Sequence, residues 1–217
     1  MDQQSGQQRS LELSYLELRK AVGIIGVALP FVLAFGKMLL QGPGLKESIS
    51  CYYYTDLGNV FVGSLCAIGV FLLSCRGYDW HDQAAGIVAC VFAIGVALFP
   101  TTPCVGAPPG NRWIGCLHLL FAALLFLTLA YFCLALFTKT VPDRDPTPRK
   151  LQRNRVYRVC GYTILACILL MVVIALPAVK TLVEPISPLF WLESIAVLAF
   201  GVAWLTKGEA ILKDQQT

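Results

Sequence analysis

Charged residues are scarce in this sequence. Asp, Glu, Lys and Arg together make up 14% of the 217 residues, against about 25% in an average soluble domain. Hydrophobic residues make up 57%. A chain with so few charges lacks the polar surface that keeps a soluble globule of this length dispersed, so the composition excludes a soluble domain and predicts an integral membrane protein.

Motifs for several kinds of chemistry are also missing. The sequence has no Walker loop, no dinucleotide-binding glycine fingerprint, no Cys-x-x-Cys pair and only two histidines. The net charge of +4 is modest, and no nucleic-acid-binding fold is indicated. We therefore expect no cofactor, no bound metal and no nucleic-acid partner.

The hydrophobic residues fall into six long blocks. Each approaches the length of about 20 residues that an α-helix needs to cross the hydrocarbon core. A stretch such as LLFAALLF at 119–126 does not alternate in polarity as a barrel strand does. We predict an all-α bundle of six transmembrane helices within 21–206, and expect the first block to be a retained signal anchor. The six blocks are 21–40, 59–75, 84–99, 113–137, 159–179 and 188–206.

Lysine and arginine predict the orientation of this bundle. Cytoplasmic loops are enriched in these residues, and an arrangement with a cytoplasmic N-terminus leaves few of the 17 on the opposite side. We therefore expect a multi-pass protein of the cell membrane with both terminal segments, 1–20 and 207–217, in the cytoplasm. The extracytoplasmic cations would be Lys37, Lys46, Arg112 and Lys180.

Two cytoplasmic segments have recognisable patterns. Residues 139–158 form a basic linker whose proline-rich centre, VPDRDPTPRK, disfavours a continuous helix. This linker sets topology, or alternatively attracts anionic lipid head groups. Residues 10–20 have helical spacing, and Ser14 with Glu17 fits a capping box, which predicts a short interfacial helix.

Glycines predict how the helices pack, because small residues let membrane helices approach closely. They are concentrated in the first three helices, so we expect those helices to pack tightly together and the fourth to face lipid more. The glycines concerned are Gly23, Gly26, Gly63, Gly69, Gly86 and Gly95.

Polar residues at the extracytoplasmic side of the helices are the candidate functional residues. Ionisable groups in a membrane segment are costly, which makes them functional candidates. His81 belongs to the cytoplasmic loop, so it cannot share a zinc site with His118. We predict that the extracytoplasmic half holds a pocket for a lipid or a small polar molecule, with membrane lipids as partners. The candidate residues are Ser50, Tyr52, Tyr53, Tyr54, Asp56, Arg112, His118 and Glu193.

Two other interpretations of these residues stay open. In one, Ser50, His118 and a carboxylate from Asp56 or Glu193 act as nucleophile, base and orienting acid of an intramembrane hydrolase, although no GxSxG-type motif surrounds the serine. In the other, the chain is a structural subunit, the tyrosines form an interfacial belt, and Glu193 pairs with Arg112.

The nine cysteines divide by position. Most lie in or near predicted helices, where cysteine acts as a small apolar residue. Cys51 and Cys104 lie in the two large extracytoplasmic loops, so a disulfide between them is a candidate in an oxidising compartment. Cys116 is the competing partner, and the sequence does not settle the connectivity.

The segment ISCYYYTDLGNVFVGSLCAIGVFLL contains Ile49 and Ser50, and later Asp56 and Gly58, just before an apolar helix. This pattern resembles bacterial multi-spanning membrane proteins of unknown function that are distantly similar to the damage-regulated autophagy modulator type. The insertion CYYYT separates the serine from the aspartate here. The resemblance covers about residues 20–100, implies six helices and an important first loop, and brings no catalytic residues with it.

Overall fold

Six α-helices make up most of the chain that the structure describes. The computed structural model describes residues 2–74, 80–102, 111–140, 146–176, 178–179 and 186–213. A 3₁₀ helix at Ser50–Tyr54 precedes the second α-helix, and a π-helical turn at Phe132–Leu136 follows the fourth. The predicted all-α polytopic bundle is confirmed. The helices are α1 (Asp2–Gln41), α2 (Gly58–Ser74), α3 (Trp80–Leu98), α4 (Arg112–Tyr131), α5 (Pro148–Ile174) and α6 (Pro188–Lys207).

The helices have the length and composition of membrane spans. Within the described residues, five of them are long and apolar enough to cross a bilayer. The remaining helix, α2, has 17 residues and so rises about 25 Å, which is at the short end of the spanning range. Large apolar side chains such as Leu119 and Leu169 point outward, as the lipid-facing surface of a multi-pass membrane protein requires.

Helix α5 begins earlier than the sequence predicts. Its first residue, Pro148, lies inside the predicted linker 139–158, and the side chain of Thr147 accepts a hydrogen bond of 3.2 Å from the amide of Lys150. Proline is well suited to this position because its fixed φ favours the first turn and its missing N–H needs no partner there. The linker was therefore predicted too long, since proline was counted only as a helix breaker.

The N-terminal segment also differs from its prediction. Residues 10–20 belong to the continuous helix α1 and do not form a separate helix. Ser14 therefore lies inside α1 and is not its N-cap as the capping box predicted, and Glu17 forms an ion pair with Lys20 at 2.7 Å. Likewise α3 begins at Trp80, which places His81 in its first turn instead of in a loop.

The six helices form a closed ring. Each helix packs against the next one in the chain, and α6 packs extensively against α1. The glycines explain the closure: a Cβ atom added at Gly23 would lie 2.9 Å from the carbonyl oxygen of Gly201. Gly23 and Gly26 of α1 therefore serve the contact with α6. α2 packs tightly on α3, as the glycine pattern predicts. α1 packs most closely on α6, whereas the sequence predicted α2 and α3 as its partners.

Candidate functional site

The segment between α1 and α2 folds into one end of the ring, called here the Ser50 end. Its 3₁₀ helix begins at Ser50, and Tyr52 is fully buried with its ring centroid 6.0 Å from that of Phe190 in α6. The amide of Lys46 donates to the Tyr52 hydroxyl at 3.5 Å. Tyr54 donates a hydrogen bond of 2.6 Å to the carbonyl of Thr101. These contacts hold the segment against the bundle.

Burial also changes the acidity of these two tyrosines. It raises the pKa of Tyr52, although the hydrogen bond from Lys46 acts in the opposite direction. Burial, together with the neighbouring Tyr53, raises the pKa of Tyr54. Both phenols are therefore held in their neutral form.

Ser50 and His118 are in direct contact at this end. Nε2 of the His118 ring lies 2.9 Å from Oγ of Ser50, and Nδ1 lies 2.6 Å from the carbonyl oxygen of Phe99. A carbonyl can only accept, so Nδ1 carries a hydrogen. In the neutral ring Nε2 is then the acceptor and the Ser50 hydroxyl donates to it. This is the arrangement in which a histidine can withdraw a proton from a serine.

Glu193 binds the same segment from the opposite side. Its Oε2 accepts a hydrogen bond of 2.6 Å from the amide of Ile49, and the amide of Ser50 also faces this carboxylate. Because His118 belongs to α4 and Glu193 to α6, the Ile49–Ser50 dipeptide is held between two helices that lie on either side of α5 in the ring.

A narrow apolar cavity extends from this dipeptide into the ring. Its volume is about 60 Å³. The lining positions on α4 run from Ala122 to Leu129, a span of seven residue steps and hence about 10 Å along the helix axis. Its polar lining groups, Ser50 and Glu193, belong to one end. The full lining is Leu29, Ile49, Ser50, Phe61, Leu65, Ile68, Val96, Ala122, Leu125, Phe126, Leu129, Glu193, Val197 and Phe200.

The other predicted site residues lie apart from this cavity. Asp56 is exposed and lines a different surface depression, together with Tyr53. Arg112 is exposed at the first residue of α4, and within the described part of the chain it forms no ion pair with Glu193. Tyr52 and Tyr54 make the structural contacts given above. A ligand-binding role for these residues stays a prediction.

The structure describes two of the three cysteines considered for a disulfide. Cys51 is disulfide-bonded, and Ser48 donates a hydrogen bond of 3.2 Å to its Sγ. Cys116, the competing candidate, is an exposed free thiol. Cys104, the other half of the predicted pair, lies outside the described residues, so that pairing stays a prediction.

The two histidines lie at opposite ends of the bundle. His81 is in the first turn of α3 and packs on Trp80 with ring centroids 3.9 Å apart, whereas His118 meets the C-terminal end of the same helix through Phe99. Among the residues that the structure describes, no group of three His, Cys, Asp or Glu side chains is placed to hold a metal ion.

Sequence reasoning missed the backbone groups that complete the site. The carbonyl of Phe99 orients His118, and the amide of Ile49 binds Glu193. A sequence differs from position to position only in its side chains, so it does not indicate which main-chain groups will bind them. The apolar lining of the cavity was missed for a related reason. The sequence does not distinguish Leu125 or Val197 from the other apolar residues of a membrane helix.

Together the fold and the site define a class: a polytopic α-helical membrane protein whose six-helix ring surrounds an apolar cavity with Ser50, His118 and Glu193 at one end. In comparisons with known proteins, no family model, no curated protein and no solved structure matches the chain. The resemblance to the damage-regulated autophagy modulator type stays a prediction.

Proposed function

We propose that this protein binds a lipid or a small amphiphilic molecule in the cavity of its helix ring, in the extracytoplasmic half of the membrane. The apolar part of the ligand lies along α2, α4 and α6, and its polar group lies at Ser50 and Glu193. The observation that carries the proposal is the one-sided polarity of the cavity, whose serine and carboxylate stand at one end of an otherwise apolar lining.

The dimensions of the cavity favour a single extended chain. A volume of about 60 Å³ distributed over about 10 Å of helix length makes it narrow. An alkyl chain entering such a space gains about 0.8 kcal/mol for each methylene group it buries. At the polar end, the Ser50 hydroxyl and the Glu193 carboxylate offer hydrogen-bonding groups to a hydroxyl, amine or amide head.

Photocrosslinking tests this binding directly. A single-chain amphiphile carrying a diazirine on its alkyl chain should label the purified full chain, and peptide mapping should place the adduct on α2, α4 or α6. The substitution Ala122→Leu adds three carbon atoms to the cavity lining and should abolish labelling. Ala123→Leu makes the same change at a neighbouring position outside the lining and should preserve it. Equal labelling of both variants would overturn the proposal.

A second candidate function is that of an intramembrane serine hydrolase. The distance of 2.9 Å between Ser50 Oγ and His118 Nε2 favours it, because a serine needs an adjacent base to become nucleophilic. One feature opposes it. The Ile49 amide beside the serine donates to Glu193, whereas acyl transfer needs nearby donors to stabilise an oxyanion. We therefore rank binding first.

A fluorophosphonate probe separates the two candidates. In a hydrolase the Ser50 oxygen would attack the probe's phosphorus and expel fluoride, leaving a covalent label that Ser50→Ala removes. Ser194→Ala is the matched control, because Ser194 is also buried and donates to a carbonyl, that of Phe190, at 2.6 Å. Labelling that Ser50→Ala removes and Ser194→Ala does not would make hydrolysis the leading candidate. Absence of such labelling would leave ligand binding as the remaining candidate.

We also propose that the protein lies in the cell membrane with both termini in the cytoplasm. The distribution of described cations supports this orientation. At the Ser50 end they are Lys37, Lys46 and Arg112. The opposite end holds many more, from the start of α5 and the end of α6 among others, and cytoplasmic ends are enriched in such residues.

A further inference from the structure

The hydroxyl hydrogen of Ser50 is already used in the hydrogen bond to His118. Nδ1 of the histidine donates to the carbonyl of Phe99, so in the neutral ring Nε2 accepts the hydrogen of the serine. The ring is 3% exposed, and no described carboxylate forms a hydrogen bond with it. An unpaired charge is costly in such a buried place, which favours the neutral ring. Ser50 Oγ therefore offers lone pairs to the cavity and no hydrogen.

Glu193, the other polar side chain of the cavity lining, is an acceptor as well. Its carboxylate binds the amide of Ile49 at 2.6 Å and also the amide of Ser50. An ionised carboxylate has about four lone-pair sites and no donor, so these two amides leave part of its capacity unused. Both polar side chains that line the cavity thus accept hydrogen bonds, and neither has a hydrogen to donate to a ligand.

Glu193 also has no counter-ion among the residues that the structure describes. None of the described ion pairs includes it, and no cation is among the groups that act on its carboxyl. At the same end of the ring, Lys37 donates to two backbone carbonyls after α1, and Arg112 is exposed. Ionisable groups within membrane spans almost always pair with one another or with carbonyls, because a buried charge without a partner is costly. A cationic ligand would supply the partner of this carboxylate.

On the basis of the binding function proposed above, we propose that the ligand of the cavity is a long-chain primary amine, bound as its ammonium ion between Ser50 Oγ and the Glu193 carboxylate. An ammonium group carries three N–H donors and no acceptor, so it matches a site that holds only acceptors. The two acceptors lie close together, since Glu193 binds the amide of the same residue whose hydroxyl faces the cavity.

The acceptors at this end of the cavity disfavour the other common head groups. A carboxylate or a phosphate brings more acceptors and a second negative charge, which Glu193 repels. A hydroxyl group brings one donor and no charge. Charge-assisted hydrogen bonds are roughly twice as strong as neutral ones. An amine should therefore bind about tenfold or more tightly than the alcohol with the same alkyl chain.

Competition in the photocrosslinking assay tests the head group. The probe is a long-chain alcohol with a diazirine on its alkyl chain, and the competitors are dodecylamine, dodecanol and dodecanoate at neutral pH. Dodecylamine should halve the labelling at about one tenth or less of the concentration that dodecanol needs, and dodecanoate should compete least. Dodecyltrimethylammonium, which has the charge without N–H donors, should compete less well than dodecylamine. Equal competition by dodecylamine and dodecanol would overturn the proposal.

The substitution Glu193→Gln separates binding at this carboxylate from the partition of each competitor into the detergent micelle. It keeps the size of the side chain and removes its charge, so the preference for dodecylamine over dodecanol should disappear. Asp56→Asn removes a charge from an exposed position at the same end of the ring and should keep the preference. A preference that survives Glu193→Gln would overturn the proposal. If Glu193→Gln does not fold, the order of the four competitors on the unmodified chain tests the head group by itself.

The same assay distinguishes failure of the amine head group from failure of binding in the cavity. If Ala122→Leu and Ala123→Leu label as strongly as the unmodified chain, the cavity is not the binding place and both proposals fail. If Ala122→Leu abolishes labelling but dodecylamine has no advantage over dodecanol, binding in the cavity stands and only the amine head group is overturned.

Discussion

Ser50 and His118 are 68 residues apart in the chain and form a hydrogen bond of 2.9 Å. The bond joins the segment after α1 to the second turn of α4, and the carbonyl of Phe99 fixes the histidine ring from its other nitrogen. Glu193 then binds the adjacent amide of Ile49 from α6. One dipeptide thus connects α4 and α6 at the end of the cavity.

We expect His118→Ala to destabilise the protein. His118 is 3% exposed, and its removal leaves the Ser50 hydroxyl and the Phe99 carbonyl without this partner. Each buried polar group left unpaired costs about 1–3 kcal/mol. Unfolding by denaturant in detergent micelles measures the loss. His81→Ala is the control, since that histidine is exposed and its removal should lower the free energy of unfolding only a little. An equal loss in both variants would show that the hydrogen bond between His118 and Ser50 makes no specific contribution to stability.

Much of the fold could be predicted from the sequence because membrane spans have a strong signal. Six apolar blocks gave six helices, since a helix is the only way to satisfy the backbone of an isolated span in lipid. Helix ends were less predictable. Pro148 starts α5 although proline also ends helices, and only the local capping by Thr147 distinguishes the two roles.

The candidate site could be predicted in part. Ser50, His118 and Glu193 were identifiable because polar residues in or beside an apolar helix are rare and costly. Asp56 and Arg112 satisfied the same criterion but lie in an exposed turn and at an exposed helix end, where charge costs little. Depth along a helix can be estimated from sequence, whereas the face that a side chain occupies depends on packing against other helices.

Alkaline pH should destabilise the protein through Tyr52 and Tyr54. Burial raises the pKa of Tyr52 and Tyr54 above the ordinary value, so both stay neutral in the folded chain while unfolded tyrosines ionise near pH 10. The stability they contribute is complete below that pH and is lost as the pH rises through the higher pKa of the folded state.

Phenylalanine variants test this assignment. Tyr52→Phe and Tyr54→Phe should each flatten the decline of unfolding free energy above about pH 10, as followed by denaturant titration at a series of pH values. Tyr162→Phe, at an exposed position of α5, should leave the slope as it is. A slope that none of the three substitutions changes would assign the alkaline decline to other groups.

Cysteine accessibility in whole cells should reveal the orientation. In a Cys116→Ser background, which removes the thiol that is exposed among the described free cysteines, Gln41→Cys marks the end of α1 and Lys213→Cys marks the segment after α6. If both termini are cytoplasmic, a membrane-impermeant maleimide labels Gln41→Cys on intact cells and labels Lys213→Cys only after permeabilisation. The reverse pattern would invert the topology, and labelling of both on intact cells would contradict an even number of spans.

The contact between α1 and α6 should be the most sensitive helix interface to added volume. A Cβ atom at Gly201 would lie 2.8 Å from the amide nitrogen of Val27 and 2.9 Å from the carbonyl oxygen of Gly23. Both are backbone atoms, so the helices themselves must separate. Gly201→Ala should therefore lower the free energy of unfolding in detergent by about 1–3 kcal/mol. At Gly63, where a Cβ atom would meet nothing within 4 Å, the same substitution should be neutral or stabilising by up to about 1 kcal/mol. Equal stability of the two variants would mean that α6 does not close the ring on α1 at this distance.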